Sequence, residues 1–397
     1  MFLRYCLLFF AASAWSLAAS SDSKLSGQHS VGSSQGHESH AAEAHDGDHA
    51  SSEPEEAVFN PKEMIMHHIA DSHGWHIMDW NEREIGIPLP VILWTREGLV
   101  VFSSSLFHHD SEGMHVAESG GQRFVNLHEK IYYASDAPNE HGIYAQADPI
   151  THEVTNVQPW DISITKNVAS LFVSAVIILV LFTRAAKFYA KNSDAAPRGL
   201  AGFVEPLVVF VRDDIAKNNI GPHYKKFVPL LLTIFFFIWV NNLMGLVPFF
   251  PGGANVTGNI AVTMVLAFVA FVVTNFNGKR HYWNHILWMP GLPVAVKPLL
   301  AIVEIIGIFT KPFSLMIRLF ANITAGHIIV LSLVSLIFIF ETLWVSPVSV
   351  LLTLFISVLE LLVTALQAYI FTLLTALYLG AALQEDCLLY TSDAADE

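Results

Sequence analysis

Cysteine is nearly missing from this chain: two occur in 397 residues. Cys6 lies in an apolar leader and Cys387 in the tail "CLLYTSDAADE". Neither supports a disulfide framework or thiol chemistry in the body of the chain. Charge is scarce as well. Asp, Glu, Lys and Arg make up 14% of the residues against 53% hydrophobic, and the mean hydropathy is +0.46. Ordinary globular domains carry about 25% charged residues, so this balance excludes a wholly water-soluble fold and fits several membrane spans. A glycine-rich phosphate loop of the Walker type is also lacking, so no nucleotide is expected to bind directly. No cofactor, nucleic acid or resident metal is expected either.

The charge that is present divides the chain. Of 19 histidines, 15 lie in the first 160 positions, together with most of the acidic residues behind the formal charge of −14. Residues 1–20, with Arg4, an apolar run and a small-residue end, read as a secretory signal peptide. Residues 21–56 are rich in Ser, Gly, His and acid, and read as a disordered tether. His29, His37, His40, His45 and His49 in it could hold zinc or copper loosely, or form a solvated polar leader. Residues 57–160 regain aromatic and apolar residues and read as a small exported α+β domain. Within it "PKEMIMHHIADSHGWHIMDW" predicts a short amphipathic helix running into a loop. "IGIPLPVILWTREGLVVFSS" predicts two strands around a turn at Arg96–Gly98. His68, His73 and His76 have a spacing that a metal could use, but no cysteine pair accompanies them. Residues 387–397 resemble the translation of a sequencing-library adapter and are set aside as an artefact.

Residues 161–386 predict an all-α polytopic membrane domain. A first span from Val168 ends in basic residues, and the following loop carries eight Lys and Arg against four acids. By the positive-inside rule that loop is cytoplasmic and the amino terminus periplasmic. "GLAGFVEPLVVFVRDDIAK" predicts an amphipathic helix along the membrane surface. Spans at 227–247 and 260–276 bring the total of ordinary transmembrane helices to about three. Then come apolar stretches of 43 residues (298–340) and 38 residues (346–383). As helices they would reach about 64 Å and 57 Å at about 1.5 Å per residue. A bilayer core is about 30 Å thick. The pair therefore predicts a long, steeply tilted hairpin turning near residues 342–347 and wrapping a curved partner in the membrane.

Arg318 sits inside this hairpin. A charge at the bilayer centre costs at least about 2.5–3.5 kcal/mol, and arginine cannot escape by losing its proton. Glu304, Lys311 and Arg318 are seven apart and share a face; Asn322 follows one turn later. Glu360 and Gln367 repeat the spacing on the second helix. Folded about Trp344, His327 lies 17 residues before the turn and Glu360 16 after it, so the two should meet. Arg318, 26 before, and Gln367, 23 after, should sit near one level. A row of proton-exchanging groups broken by a permanent cation looks like two half-pathways and a barrier. Asn322 or Gln367 alone would equally serve as polar glue between helices. A multi-pass metal transporter or proton-coupled transporter with a His-rich exported segment is the alternative, but clustered metal ligands and internal repeats are not found in the spans.

"RLFANITAGHII" with "LELLVTALQAYIFTLLTALYLGAAL" resembles subunit a of the F-type ATP synthase, as do "NNLMGLVPFFP" and "TGNIAVT". The resemblance covers about residues 160–386; the long extension before it looks like the form found in Bacteroidetes-type bacteria. It implies a proton-translocating stator of the bacterial inner membrane, non-catalytic alone. Its implied partners are the c-subunit ring, the b-subunit peripheral stalk and the other ATP synthase subunits. Arg318 matches the family's essential arginine facing the ring carboxylate. Asn322, His327, Glu360 and Gln367 match the outer half-channel, and Glu304 and Lys311 positions toward the inner one. Some members carry an acid at the position of His327 and a histidine at that of Glu360; the exchange preserves the pair.

Overall fold

The computed structural model describes residues 61–384 apart from 81–82, 109, 147, 149–153, 192–195, 248–249, 290–292 and 341–343. The signal-peptide, tether and adapter assignments lie outside the described residues. The amino-terminal part opens with α1 (Pro61–Ile69) and continues as strands β1 (Gly74–Trp80), β2 (Arg83–Pro88), β3 (Pro90–Thr95), β4 (Gly98–Ser103), β5 (Glu112–Ser119), β6 (Gln122–Leu127), β7 (Lys130–Tyr133) and β8 (Trp160–Asp161). They form three small antiparallel sheets, ordered β1-β2, β4-β3-β8 and β5-β6-β7. The β3–β4 hairpin turns at Arg96–Glu97, with Thr95 paired to Gly98. Gly98 has φ +130°, a conformation that side chains with a Cβ rarely adopt.

One expectation fails here. The segment after α1 is not a loop: "GWHIMDW" is a strand paired to β2. Its apolar and polar residues alternate only in part, so the pairing partner decides the strand. Inward-facing Val91, Leu93, Phe107, Phe124 and Ile131 form the core of this part.

The second part is helical: α2 (Lys166–Lys191), α3 (Leu200–Val209), α4 (Tyr224–Leu246), α5 (Ile260–Phe276), α6 (Arg280–Leu287), α7 (Lys297–Phe340) and α8 (Val345–Leu383). A π-helical stretch (Phe210–Lys217) and a short turn (Asn218–Ile220) continue α3 before the chain breaks at Gly221. Among the described residues four helical runs are long and apolar enough to cross a membrane: Lys166–Lys191, Leu200–Leu246, Lys297–Phe340 and Val345–Leu383. α5 and α6, bent by 102°, pass the same test only when taken together as one broken span. Val211, Ile215 and Ala216 of the stretch expected on the membrane surface are packed into the core with Leu231, Phe236 and Phe237 of α4 and Phe371 and Leu379 of α8.

Packing separates the inner helices from the hairpin. Nearly three-quarters of the apolar window in the α4 run is buried, against 11% in α7 and 17% in α8. α7 spans 44 residues, passing through Pro312, and α8 spans 39. At about 1.5 Å per residue both are about twice as long as a bilayer core is thick. Both close onto α4 and α5 by one side only, and the other side presents Leu299, Ile302, Phe313, Leu351, Phe355 and Leu362 outward.

Candidate functional site

The hairpin brings His327 and Glu360 together. Nδ1 of His327 lies 3.6 Å from Oε1 of Glu360. The carboxylate side chain is 5% exposed and the imidazole 20%. The pair is in contact without a formed hydrogen bond, since 3.6 Å is beyond a donor's reach. One glycine makes the approach possible. A Cβ on Gly326 would stand 2.7 Å from Oε1 of Glu360, so only glycine lets the carboxylate lie against α7. On the other side a Cβ on Gly245 of α4 would stand 3.6 Å from Nε2 of His327. Glu360 Oε1 is buried without a hydrogen-bond partner, as are Thr324 Oγ1 on α7 and Asn242 Nδ2 on α4. An unpaired buried polar atom costs about 1–3 kcal/mol, so the carboxylate keeps capacity to bond something polar that passes through.

Arg318 stands half-buried on α7 between Leu319, which is packed inward, and Ile317, which is exposed. Among the described residues no carboxylate pairs with it. Its charge reaches the Tyr378 hydroxyl of α8. Lys311 sits over the ring of that same tyrosine, 5.6 Å from its centre. Lys311, Tyr378, Pro312 and Leu315 line one wall of a crevice of about 30 Å³; Asn275 and Tyr282 line the other. A water needs about 10–15 Å³ measured this way, so the crevice has room for one or two. Tyr282 Oη donates to Asn275 Oδ1 at 3.3 Å, and Glu304 lies close enough to act on that phenol.

Two clusters therefore emerge at different depths. His327 and Glu360 form one, toward the end of the bundle that carries the amino-terminal domain. Lys311, Tyr378, Tyr282 and Glu304 form the other, toward the opposite end, where the Lys279 amide bonds the Ala382 carbonyl. Arg318 lies between them along α7. Gln367 is buried on α8 and Asn322 is exposed on α7; neither is hydrogen-bonded to Arg318. Gly326, Gly245, Tyr378 and Tyr282 were not anticipated. Tyr378 could have been, since it follows Gln367 by 11 residues, close to three helical turns.

The histidine trio His68, His73 and His76 does not converge. His73 Nε2 bonds Asp161 Oδ2 at 2.9 Å in a buried pair. His68 is exposed on α1, and the side chain of His76 lies outside the described residues. Among the described residues no group of three or more His, Cys, Asp or Glu could hold a metal ion.

Residues 168–380 match the family described as ATP synthase A chain. The chain belongs to that family. It is 48% identical over 204 residues to "ATP synthase subunit a" of Chloroherpeton thalassium, covering 48% of this chain and 58% of that protein. It is 46% identical over 192 residues to "ATP synthase subunit a 2" of Chlorobaculum tepidum, covering 47% and 53%. It is 45% identical over 196 residues to "ATP synthase subunit a" of Chlorobium phaeobacteroides, covering 46% and 54%. The chain spans about half the length of the curated relatives it matches. Residues 64–162 match a separate family, described only as a domain of unknown function (DUF8433).

Proposed function

We propose that this protein is the proton-translocating stator subunit of an F-type ATP synthase, coupling ion flow to rotation of a ring of c subunits. The observation that carries the reading is Arg318, a permanent cation on the open side of an apolar hairpin with no acid of its own chain to pair with among the described residues. Such a charge needs a counter-ion. A carboxylate on a rotating partner supplies one intermittently. The length and one-sided packing of α7 and α8 support a steep tilt around that partner, because helices of this length otherwise overshoot the bilayer.

In this mechanism a proton enters from the periplasm through His327 and Glu360, with Asn322 and Gln367 extending the outer path. It neutralises a ring carboxylate, which then turns into lipid. A site arriving from the other side meets Arg318, whose charge favours the ionised carboxylate and expels the proton. The proton leaves through the crevice lined by Lys311, Tyr378 and Tyr282, and past Glu304, to the cytoplasm. Arg318 repels a proton hopping directly between the two half-channels, so flux requires rotation. Each charge crossing about 100 mV delivers about 2.3 kcal/mol. The b-subunit stalk holds the subunit against the torque, and the chemistry of ATP belongs to other subunits.

Orientation in the bacterial inner membrane follows the basic residues after α2, with the amino-terminal domain in the periplasm and the carboxyl terminus in the cytoplasm. The test is Arg318→Ala in the complete complex. Coupled ATP synthesis should vanish while membranes become passively leaky to protons. Coupled synthesis at the normal rate would refute the assignment.

A further inference from the structure

The amino-terminal domain does not hang loosely from the membrane part. Asp71, just after α1, accepts hydrogen bonds from the Asn167 amide and the Thr165 hydroxyl, both at 3.0 Å. A carboxylate at this place caps the start of α2, where the helix dipole favours a negative charge. The Trp75 indole donates to the Gly252 carbonyl at 3.2 Å, and its ring meets Phe250 edge-on at 5.0 Å, which ties β1 to the loop between α4 and α5. His73 bonds Asp161 on one side, and its amide bonds Glu129 at 3.4 Å. α1 itself packs against α7.

These ties hold one exposed histidine over the outer cluster. His68 lies on α1, and the Lys166 ammonium at the start of α2 donates to its carbonyl at 3.4 Å. His68 and Lys166 are both near enough to His327 for their charges to act on it. The charged and titratable groups around this junction are Asp71, His73, Glu129 and Asp161 from the domain, Lys166 from α2, His327 from α7 and Glu360 from α8. Lys166 is only half-exposed and is engaged with the His68 carbonyl, whereas the His68 side chain is exposed, and an imidazole in water exchanges protons readily near neutral pH.

We propose that the amino-terminal domain is the entry of the outer half-channel, and that its His68 is the relay which collects protons from periplasmic water and hands them on to His327. The inference rests on the proton-translocating reading. At each step one ring nitrogen of His68 takes a proton from water and the other releases one inward. The imidazole returns to neutrality by changing tautomer, with no net chemistry.

The test uses the complete ATP synthase complex in proteoliposomes whose lumen faces the outer half-channel, energised by an imposed potential. His68→Ala should slow ATP synthesis several-fold at a lumen pH of about 8, where protons are scarce, and little at about 6, below the usual histidine range. Imidazole trapped in the lumen should restore the rate at the higher pH. Unchanged rates throughout, or an equal loss at every pH without rescue, would overturn the relay. Arg318→Ala runs in parallel. If it too keeps coupled synthesis, the motor reading beneath has failed; if it abolishes synthesis while His68→Ala keeps the wild-type rate at every pH, only the role of His68 falls.

Discussion

Gly326 offers a test in which folding and transport should separate. In Gly326→Ala the new methyl would stand 2.7 Å from Oε1, 3.0 Å from Cδ and 3.3 Å from Cγ of Glu360. Ordinary contact begins near 3.4 Å. The side chain must therefore retreat by several tenths of an ångström or swing to another rotamer. Such overpacking costs about 1–3 kcal/mol. Alanine returns up to about 1 kcal/mol by its better helix propensity. The net change of about 0–3 kcal/mol leaves a helix packed by so many other contacts intact. The carboxylate, however, already stands 3.6 Å from the imidazole, outside bonding range. A further ångström between reacting groups can cost about a hundredfold in rate. Membranes should contain normal amounts of assembled complex, while ATP-driven acidification and ATP synthesis fall by one to two orders of magnitude. Adding Glu360→Asp, one methylene shorter, should recover part of the loss. Wild-type pumping in Gly326→Ala would show that the close approach is immaterial, and the pairing would lose its support.

Three further outcomes follow from the geometry. Exchanging His327 and Glu360 together should impair coupled flux less than replacing either with Ala; a double exchange no better than the singles would break the contact argument. Gly380→Ala should behave unlike Gly326→Ala, because its Cβ would fall deep inside the backbone of Asn219, which cannot rotate away. It should remove assembled complex from the membrane, as detergent-stable yield would report, and normal assembly would contradict the packing of α8 on the turn at 218–220. The docked amino-terminal domain should be more stable at acid than at alkaline pH. Burial alone lowers the His73 pKa, but the hydrogen bond and charge of Asp161, with Glu129 and Asp71, lift it above the usual 6.5. Its stabilisation is complete below about 6.5 and is lost as pH rises through the raised value. Burial also raises Asp71 above 3.8 despite its bonds to Asn167 and Thr165, and acts in the same direction. Asp161 works oppositely: burial raises it, but His73 and Ser163 hold it below 3.8, so its contribution fails only in strong acid. The protection of α1 and β1 amides, taken as exchange relative to the intrinsic rate at each pH, should fall from about pH 6 to about pH 9 in the intact complex, and His73→Gln should flatten that dependence. Protection independent of pH in the wild type would refute it.

What could be read in advance, and what could not, follows the range of the interactions. The meeting of His327 and Glu360 was legible because a helical hairpin converts residue count into depth: positions equally far from Trp344 arrive at one level whatever else the chain does. The seven-residue spacing of Glu304, Lys311 and Arg318 fixed a face but not a neighbourhood. Each step of seven carries the chain about 10 Å along the axis and drifts about 20° around it. The three therefore stand at separate heights, and Lys311 and Arg318 find Tyr378 on α8 while Glu304 finds Tyr282. The role of Gly326 was invisible because a glycine in an apolar helix leaves no periodic trace; its meaning lies in a carboxylate that another helix delivers. Docking was hidden for a stronger reason. The bonds of Asp71 to Thr165 and Asn167 join positions 94 and 96 residues apart, and the Trp75–Gly252 bond spans 177. No local pattern encodes such partners, and the His68–His73–His76 spacing drew attention to metal binding instead. Once the ties are known, the same residues acquire another logic: buried His73 and half-buried Asp71 hold the domain down, and His68 is exposed on α1. Burial separates His68 from His73 more sharply than spacing did, and it is burial that decides which of the two can exchange a proton with the solvent.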